Sequence, residues 1–244
     1  MIVQVPAING LGITNGCESA PKLICDSLNL ESKSILVDNG NVDEQQEKIY
    51  SEAMRILKSN KSENDKINFI GGDHSISFPL CKAFLENSEN PGVLVFDAHP
   101  DLMEPMQNPT HEEWLRALVE SKNFHDILVV GIRRNSENVD KREVDFAKEN
   151  SIKLIYADEF DKRKEEVLSF CKGKQIYISF DIDVFDEALV DSTGFPESNG
   201  LGENLIDLMK KIKNVNVLDL VEVDPTKGDF EKTLSIVRRI LWKK

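Results

Sequence analysis

The segment VLVFDAHPDLMEP, residues 93–105, runs from four uncharged apolar residues, Val93–Phe96, straight into Asp97, His99 and Asp101 at alternate positions. A short apolar run of this kind reads as a buried strand, and Pro100 breaks it. Three side chains able to ligate a metal therefore stand at a strand's carboxyl end. In open α/β sheets that is where ligands bind.

Outward from this segment, short β-branched runs alternate with longer amphipathic stretches, the pattern of a mostly parallel sheet covered by helices. Eight strands are predicted: Ile2–Val5, Ile35–Val37, Ile67–Ile70, Val93–Phe96, Ile127–Val130, Lys153–Tyr156, Gln175–Phe180 and Val215–Val223. Helices are predicted over Asp43–Lys58, Thr110–Glu120, Glu137–Asn150, Asp158–Cys171, Glu203–Lys213 and Asp229–Trp242. Thr110, with Glu113 three residues on, has the form of a capping box. The longest stretch without periodicity is Val184–Gly200, and long ordered loops are often functional. A chain of 244 residues can bury a sizeable core as one α/β domain, 1–244, and nothing in it demands two.

Charge and cysteine content narrow the function classes. A formal charge of −13 repels phosphate backbones and anionic membranes, so nucleic acid and lipid surfaces are poor partners and small cations better ones. Much of that acid serves solubility. The uncharged apolar stretches are of strand length, and the N-terminus lacks a basic region followed by a signal-peptide core, so a cytoplasmic location is expected. Cys17, Cys25, Cys81 and Cys171 lack C-x-x-C spacing and read as reduced, partly buried fillers.

Other predicted strand ends carry polar clusters of the same kind. GGDHS at 71–75 brings His74, SFDIDVFD at 179–186 brings Asp181 and Asp183, and LVEVDP at 220–225 brings Glu222. Each alone has a bland reading: a strand-to-helix turn, a capped turn facing solvent, an acidic strand end. Together they supply two imidazoles and four carboxylates where the fold would place one site. Asp181 and Asp183 project on one side of their strand and repel unless a cation lies between them. Oxygen-rich ligation with imidazole and no thiolate suits a hard or borderline ion such as Mn²⁺. Six ligands exceed the need of one ion. Two ions about 3.5–4 Å apart would hold a hydroxide between them, the arrangement of metal-assisted hydrolysis.

GGDHS, FDAHPD at 96–101, SFDIDVFD with STGFPESNGL following, and LVEVDP resemble, in order, the signatures of the ureohydrolases: arginase, agmatinase and formimidoylglutamase. The resemblance implies a three-layer αβα fold with a parallel eight-stranded sheet, two Mn²⁺ per chain, and a homo-oligomer, trimer or hexamer. It implies hydrolysis of a C–N bond in a small cationic guanidino or amidino compound by a metal-bridging hydroxide. Carried across, His74 ligates the first manganese and His99 the second; Asp97 and Asp181 bridge them. Asp101 completes the first site and also passes a proton to the leaving amine, Asp183 completes the second, and Glu222 orients the guanidinium. His111 matches the family's proton-shuttling histidine, or else is an exposed residue in the first turn of a helix. Arg133 either lines the cleft or pairs with surface acid, and His125 reads as a solvated loop residue.

Departures from the family pattern bear on substrate. Arginases resemble one another in an asparagine two positions after the D-x-H-x-D turn and a nearby serine, which hold the amino acid's carboxylate. Here Leu102, Met103 and Glu104 follow, which favours an amine-bearing compound such as agmatine over arginine. Glu187, Asn199 and Asp224 replace the family's usual proline, glycine and asparagine without removing a ligand. The rival readings are a deacetylase-like amidohydrolase with one zinc and a non-catalytic metal-binding protein.

Overall fold

The computed structural model describes residues 1–60 and 66–241. Eight strands form one sheet: β1 Ile2–Val5, β2 Lys33–Ser34, β3 Ile67–Gly71, β4 Pro91–Phe96, β5 Ile127–Ile132, β6 Lys153–Tyr156, β7 Gln175–Asp181 and β8 Val215–Val221. Their order is β2-β1-β3-β8-β7-β4-β5-β6, and every pairing is parallel. Helices α1 Ala20–Leu28, α2 Val42–Ser59, α3 Ser77–Glu86, α4 Trp114–Lys122, α5 Lys141–Glu149, α6 Phe160–Cys171, α7 Asn204–Met209 and α8 Phe230–Ile240 cover it.

Two apolar clusters reveal the layers. Val93 and Val95 of β4 belong to one, with Ile49 of α2, Leu80 of α3 and Trp114 of α4; Leu94 and Phe96 belong to the other, with Ile24 of α1, Val167 of α6, Leu205 of α7 and Leu234 of α8. Successive strand residues face opposite sides, so a strand covered on both faces must be apolar throughout. The expected three-layer αβα arrangement is the one observed.

Differences from the sequence expectation have local causes. The second strand is Lys33–Ser34, two residues before Ile35–Val37; Ile35 still donates to Gln4 O at 2.9 Å, but Leu36 turns out to solvent. Helix α4 begins at Trp114, so Thr110 and Glu113 form no capping box; their side chains bond directly to each other. The capping box belongs to α5, where Asp140 and Glu143 cap reciprocally. Helix α3 is hidden from periodicity because Leu80, Cys81, Ala83 and Phe84 are all buried, leaving little polar face to read. Helix α1 is likewise additional to the predicted set, although Pro21 sits in its first turn, where proline is favoured. In the last predicted helix, Trp242 lies outside the described residues. All four cysteines are free and buried. No helix among the described residues is long and apolar enough to cross a membrane.

Candidate metal centre

Strands β3, β8, β7 and β4 are neighbours at the middle of the sheet, and the chain leaving each carboxyl end carries a polar cluster. Beyond β3, Asp73 caps a short 3₁₀ turn, His74–Ile76, by accepting from Ser75 N at 3.1 Å. The turn aims His74 across the sheet. Beyond β4, Asp97 accepts from His99 N at 2.7 Å, folding DAHPD into a tight turn in which Asp101 is left-handed at φ 53°. A second turn, Ile182–Val184, follows β7 and is capped by Asp181, which accepts from Asp183 N at 2.8 Å. Glu222 ends β8 by turning left-handed at φ 62°. Positive φ at two non-glycine residues is strain of the kind that collects at functional sites.

The six expected ligands converge. His74 Nδ1 lies 2.9 Å from Asp101 Oδ2, 3.1 Å from Asp97 Oδ2 and 3.3 Å from Asp181 Oδ2. His99 Nδ1 lies 3.1 Å from Asp183 Oδ2 and 3.5 Å from Asp97 Oδ1. Two donor sets result, His74–Asp97–Asp101 and Asp97–His99–Asp183, each with ligand atoms within 4.8 Å of one another. Asp97 belongs to both.

The donor set fits divalent cations. All four aspartates are buried, and Asp97 Oδ2 accepts no aligned hydrogen bond, the expected state of an oxygen reserved for an ion. Burial, and then the charges of Asp183 and Asp97, push the Asp181 carboxyl well above the usual range; burial, and then Asp97, raise Asp101 to about 6. So much negative charge in one buried site calls for positive charge. Each imidazole is also held from behind, as metal-ligating histidines are. His74 Nε2 meets Ser179 Oγ at 2.9 Å, and that hydroxyl donates to Asp219 at 2.8 Å. His99 Nε2 meets Glu197 Oε1 at 3.2 Å. Trp114 Nε1 donates to Asp101 Oδ2 at 2.8 Å.

A cleft of about 230 Å³ opens over these groups and is lined by Glu222, His111, Met103 and Phe195 as well as by the expected ligands other than Asp97. Glu222 is 4% exposed and accepts from His74 N at 2.9 Å through Oε1; burial, and then the Asp73 charge, push its carboxyl up to about 8. His111 is 7% exposed, which rules out the reading of it as a surface residue. Burial alone would lower its pKa; Glu112, 3.4 Å from Nε2, with Glu222, Asp73 and Asp101 beyond, raises it to about 9. Its edge packs on Phe195, centroids 6.0 Å apart.

Other expectations change. Arg133 neither lines the cleft nor pairs with surface acid. It is buried and donates to the backbone carbonyls of Gly131, Asp183 and Phe185 at 2.6–2.8 Å, bracing the turn that carries Asp183. His125 stays in its loop, with Nε2 3.1 Å from Asn123. Glu104 is exposed and Leu102 is in the core; the cleft's acid comes instead from Glu112, Glu137, Asp140 and Glu143. Sequence reasoning missed Glu143, which tethers the turn after Asp101 by accepting from Leu102 N at 2.9 Å. It also missed Glu197, whose only signal was its place in the aperiodic Val184–Gly200 loop.

Comparison with known proteins agrees with this geometry. An agmatinase of Bacillus subtilis (strain 168) is 30% identical over 182 residues, covering 70% of this chain and 60% of its own length. An N(1)-aminopropylagmatine ureohydrolase of Thermus thermophilus is 29% identical over 211 residues, 82% of this chain and 68% of its own. The crystal structure of formimidoylglutamase from Bacillus subtilis superposes with a TM-score of 0.87 at 22% identity, covering 98% of this chain and 83% of that one. The sequence profile of the arginase family matches residues 1–244, taking in every strand end that contributes to the cleft, and so the chain belongs to the arginase family.

Proposed function

We propose that this chain is a manganese-dependent ureohydrolase, acting as a single 1–244 domain on a small cationic guanidino compound with an amine at its far end, such as agmatine. The observation that carries the reading is the pair of donor sets sharing Asp97, since a shared carboxylate is what a two-ion centre needs. In this reading His74 and Asp101 would hold one ion, His99 and Asp183 the other, and Asp97 and Asp181 would serve both. Two such ions, when bound, would make water a competent nucleophile near neutral pH.

The chain's own residues account for the rest of the chemistry. Glu222, charged in the presence of its cationic substrate, accepts two guanidinium N–H groups and aims the central carbon into the cleft. Asp101 passes a proton to the departing amine. His111 moves a proton at Nε2, where half-exposed Glu112 connects it to solvent. Phe195 keeps water from the two histidines it packs against. The amine preference is supported by the lining: Glu112, Glu137 and Asp140 stand in the cleft, and no lysine or arginine among the described residues lines it to hold a carboxylate. The protein acts in this reading as a cytoplasmic homo-oligomer.

The test is elemental analysis of the protein after chelation and Mn²⁺ reloading, with kcat/KM measured side by side for agmatine, arginine, guanidinobutyrate, guanidine and formimidoylglutamate. Two ions per chain and a preference for agmatine are expected. One tightly held zinc with full activity would overturn the two-ion mechanism in favour of a deacetylase-like one, and a clear preference for arginine would overturn the substrate.

A further inference from the structure

The aperiodic loop between Val184 and Gly200 does more than line the cleft. Glu197, on that loop, sets one carboxylate oxygen, Oε1, 3.2 Å from His99 Nε2, 2.7 Å from Ser136 Oγ and 2.7 Å from Asn138 Nδ2. Two neutral donors thus fix the oxygen that meets the imidazole. His99 lies between this carboxylate on one side and Asp97 and Asp183 on the other. When Nε2–H donates to Glu197, the lone pair of the neutral ring is on Nδ1, the nitrogen that faces the other ligands. His74 is held differently: its Nε2 meets a neutral hydroxyl, and the nearest charge behind it, Asp219, is one hydrogen bond further away.

We propose that Glu197 is a positioning residue for the second metal position, fixing the tautomer of His99 and strengthening it as a ligand, so that the loop sets the affinity of one ion and not of the other. The inference rests on the two-ion reading of the centre. Glu197 is not needed merely to fasten the loop, because backbone bonds already do so: Glu187 N to Glu197 O at 3.1 Å, Leu201 N to Val184 O at 2.9 Å and Asp186 N to Leu201 O at 3.1 Å.

The experiment is calorimetric Mn²⁺ titration of the metal-free full chain, wild type against Glu197→Ala and Glu197→Gln. Low-temperature electron paramagnetic resonance at two equivalents would detect the exchange-coupled pair, and circular dichroism would establish that each metal-free variant is folded. Glu197→Ala should bind the first ion as wild type does and the second about 10–100-fold more weakly, the usual effect of removing such a partner. The coupled signal should weaken with it. Glu197→Gln keeps an acceptor for Nε2–H without the charge and should recover part of the loss. A wild type that binds two ions and a folded Glu197→Ala protein that binds both equally well would overturn the role of Glu197 alone. A wild type that takes up a single ion would overturn the two-ion reading itself.

Discussion

Glu222→Gln is the sharpest probe of the proposed guanidinium-binding role of the cleft. The carboxylate is 4% exposed, and one oxygen already accepts from His74 N at 2.9 Å, so the side chain is held before substrate arrives. Gln keeps that shape and one acceptor but loses the charge and turns the other oxygen into a donor. Hydrogen bonds to charged groups are worth about 1.5–3 kcal/mol, so the substitution should cost about 3 kcal/mol in transition-state binding. At 1.4 kcal/mol per tenfold that is a fall in kcat/KM of about 10². Metal content should not change. The same substitution has a signature without substrate or metal. In the metal-free protein burial raises the Glu222 carboxyl from 4.5 to about 8, so it contributes stability fully present below 4.5 and lost as pH rises through 8. Gln does not ionise and escapes that loss. The melting temperature of the metal-free variant should therefore pull ahead of wild type from about pH 5 to about pH 8 and then keep a constant lead. A fully active variant would refute the guanidinium-binding role, and a melting gap independent of pH would refute the account of the buried charge.

Three further outcomes are expected. Asp183→Ala should bind one Mn²⁺ in place of two and lose nearly all turnover; unchanged metal content would remove Asp183 from the ligand set. His111→Ala should keep both ions but lose about 10²–10⁴-fold in kcat, the range for acid–base groups. The wild-type limb in which activity falls as His111 loses its proton with rising pH should vanish with it, and an unchanged pH–rate profile would refute the shuttle. Trp114→Phe leaves Asp101 Oδ2 without its 2.8 Å indole donor and, at about 1–3 kcal/mol for a lost buried partner, should weaken the first ion more than the second. Calorimetry showing the second ion weakened instead would contradict the placement of Asp101.

The candidate site was legible in the sequence because its expected ligands cluster locally: Asp97, His99 and Asp101 share one turn, and Asp181 and Asp183 another. Their strands were legible for a related reason, since a strand covered on both faces reads as an unbroken apolar run. The groups behind the ligands were not legible. Ser179 and Asp219 reach His74 from β7 and β8, and Glu197 reaches His99 from a loop, so only the folded sheet brings them to the ligands they support. Arg133 deceived the reading because a buried arginine satisfied by three backbone carbonyls has no sequence signature. Helix α3 was invisible because it is packed between α2 and α4 and has little polar face.

The strand order has a consequence for how the protein comes to exist. Strand β8 is the last to be made, yet it lies between β3 and β7. Until it inserts, those two strands present unpaired edges, the kind of surface through which nascent chains aggregate. The bond from His74 N to Glu222 spans 148 residues, so Glu222 joins the cleft only when the central sheet closes. Contacts so distant in sequence make folding slow. Because the donor groups come together only in the folded sheet, metal uptake reports on the whole molecule, and chelators should shift its folding equilibrium as well as its activity.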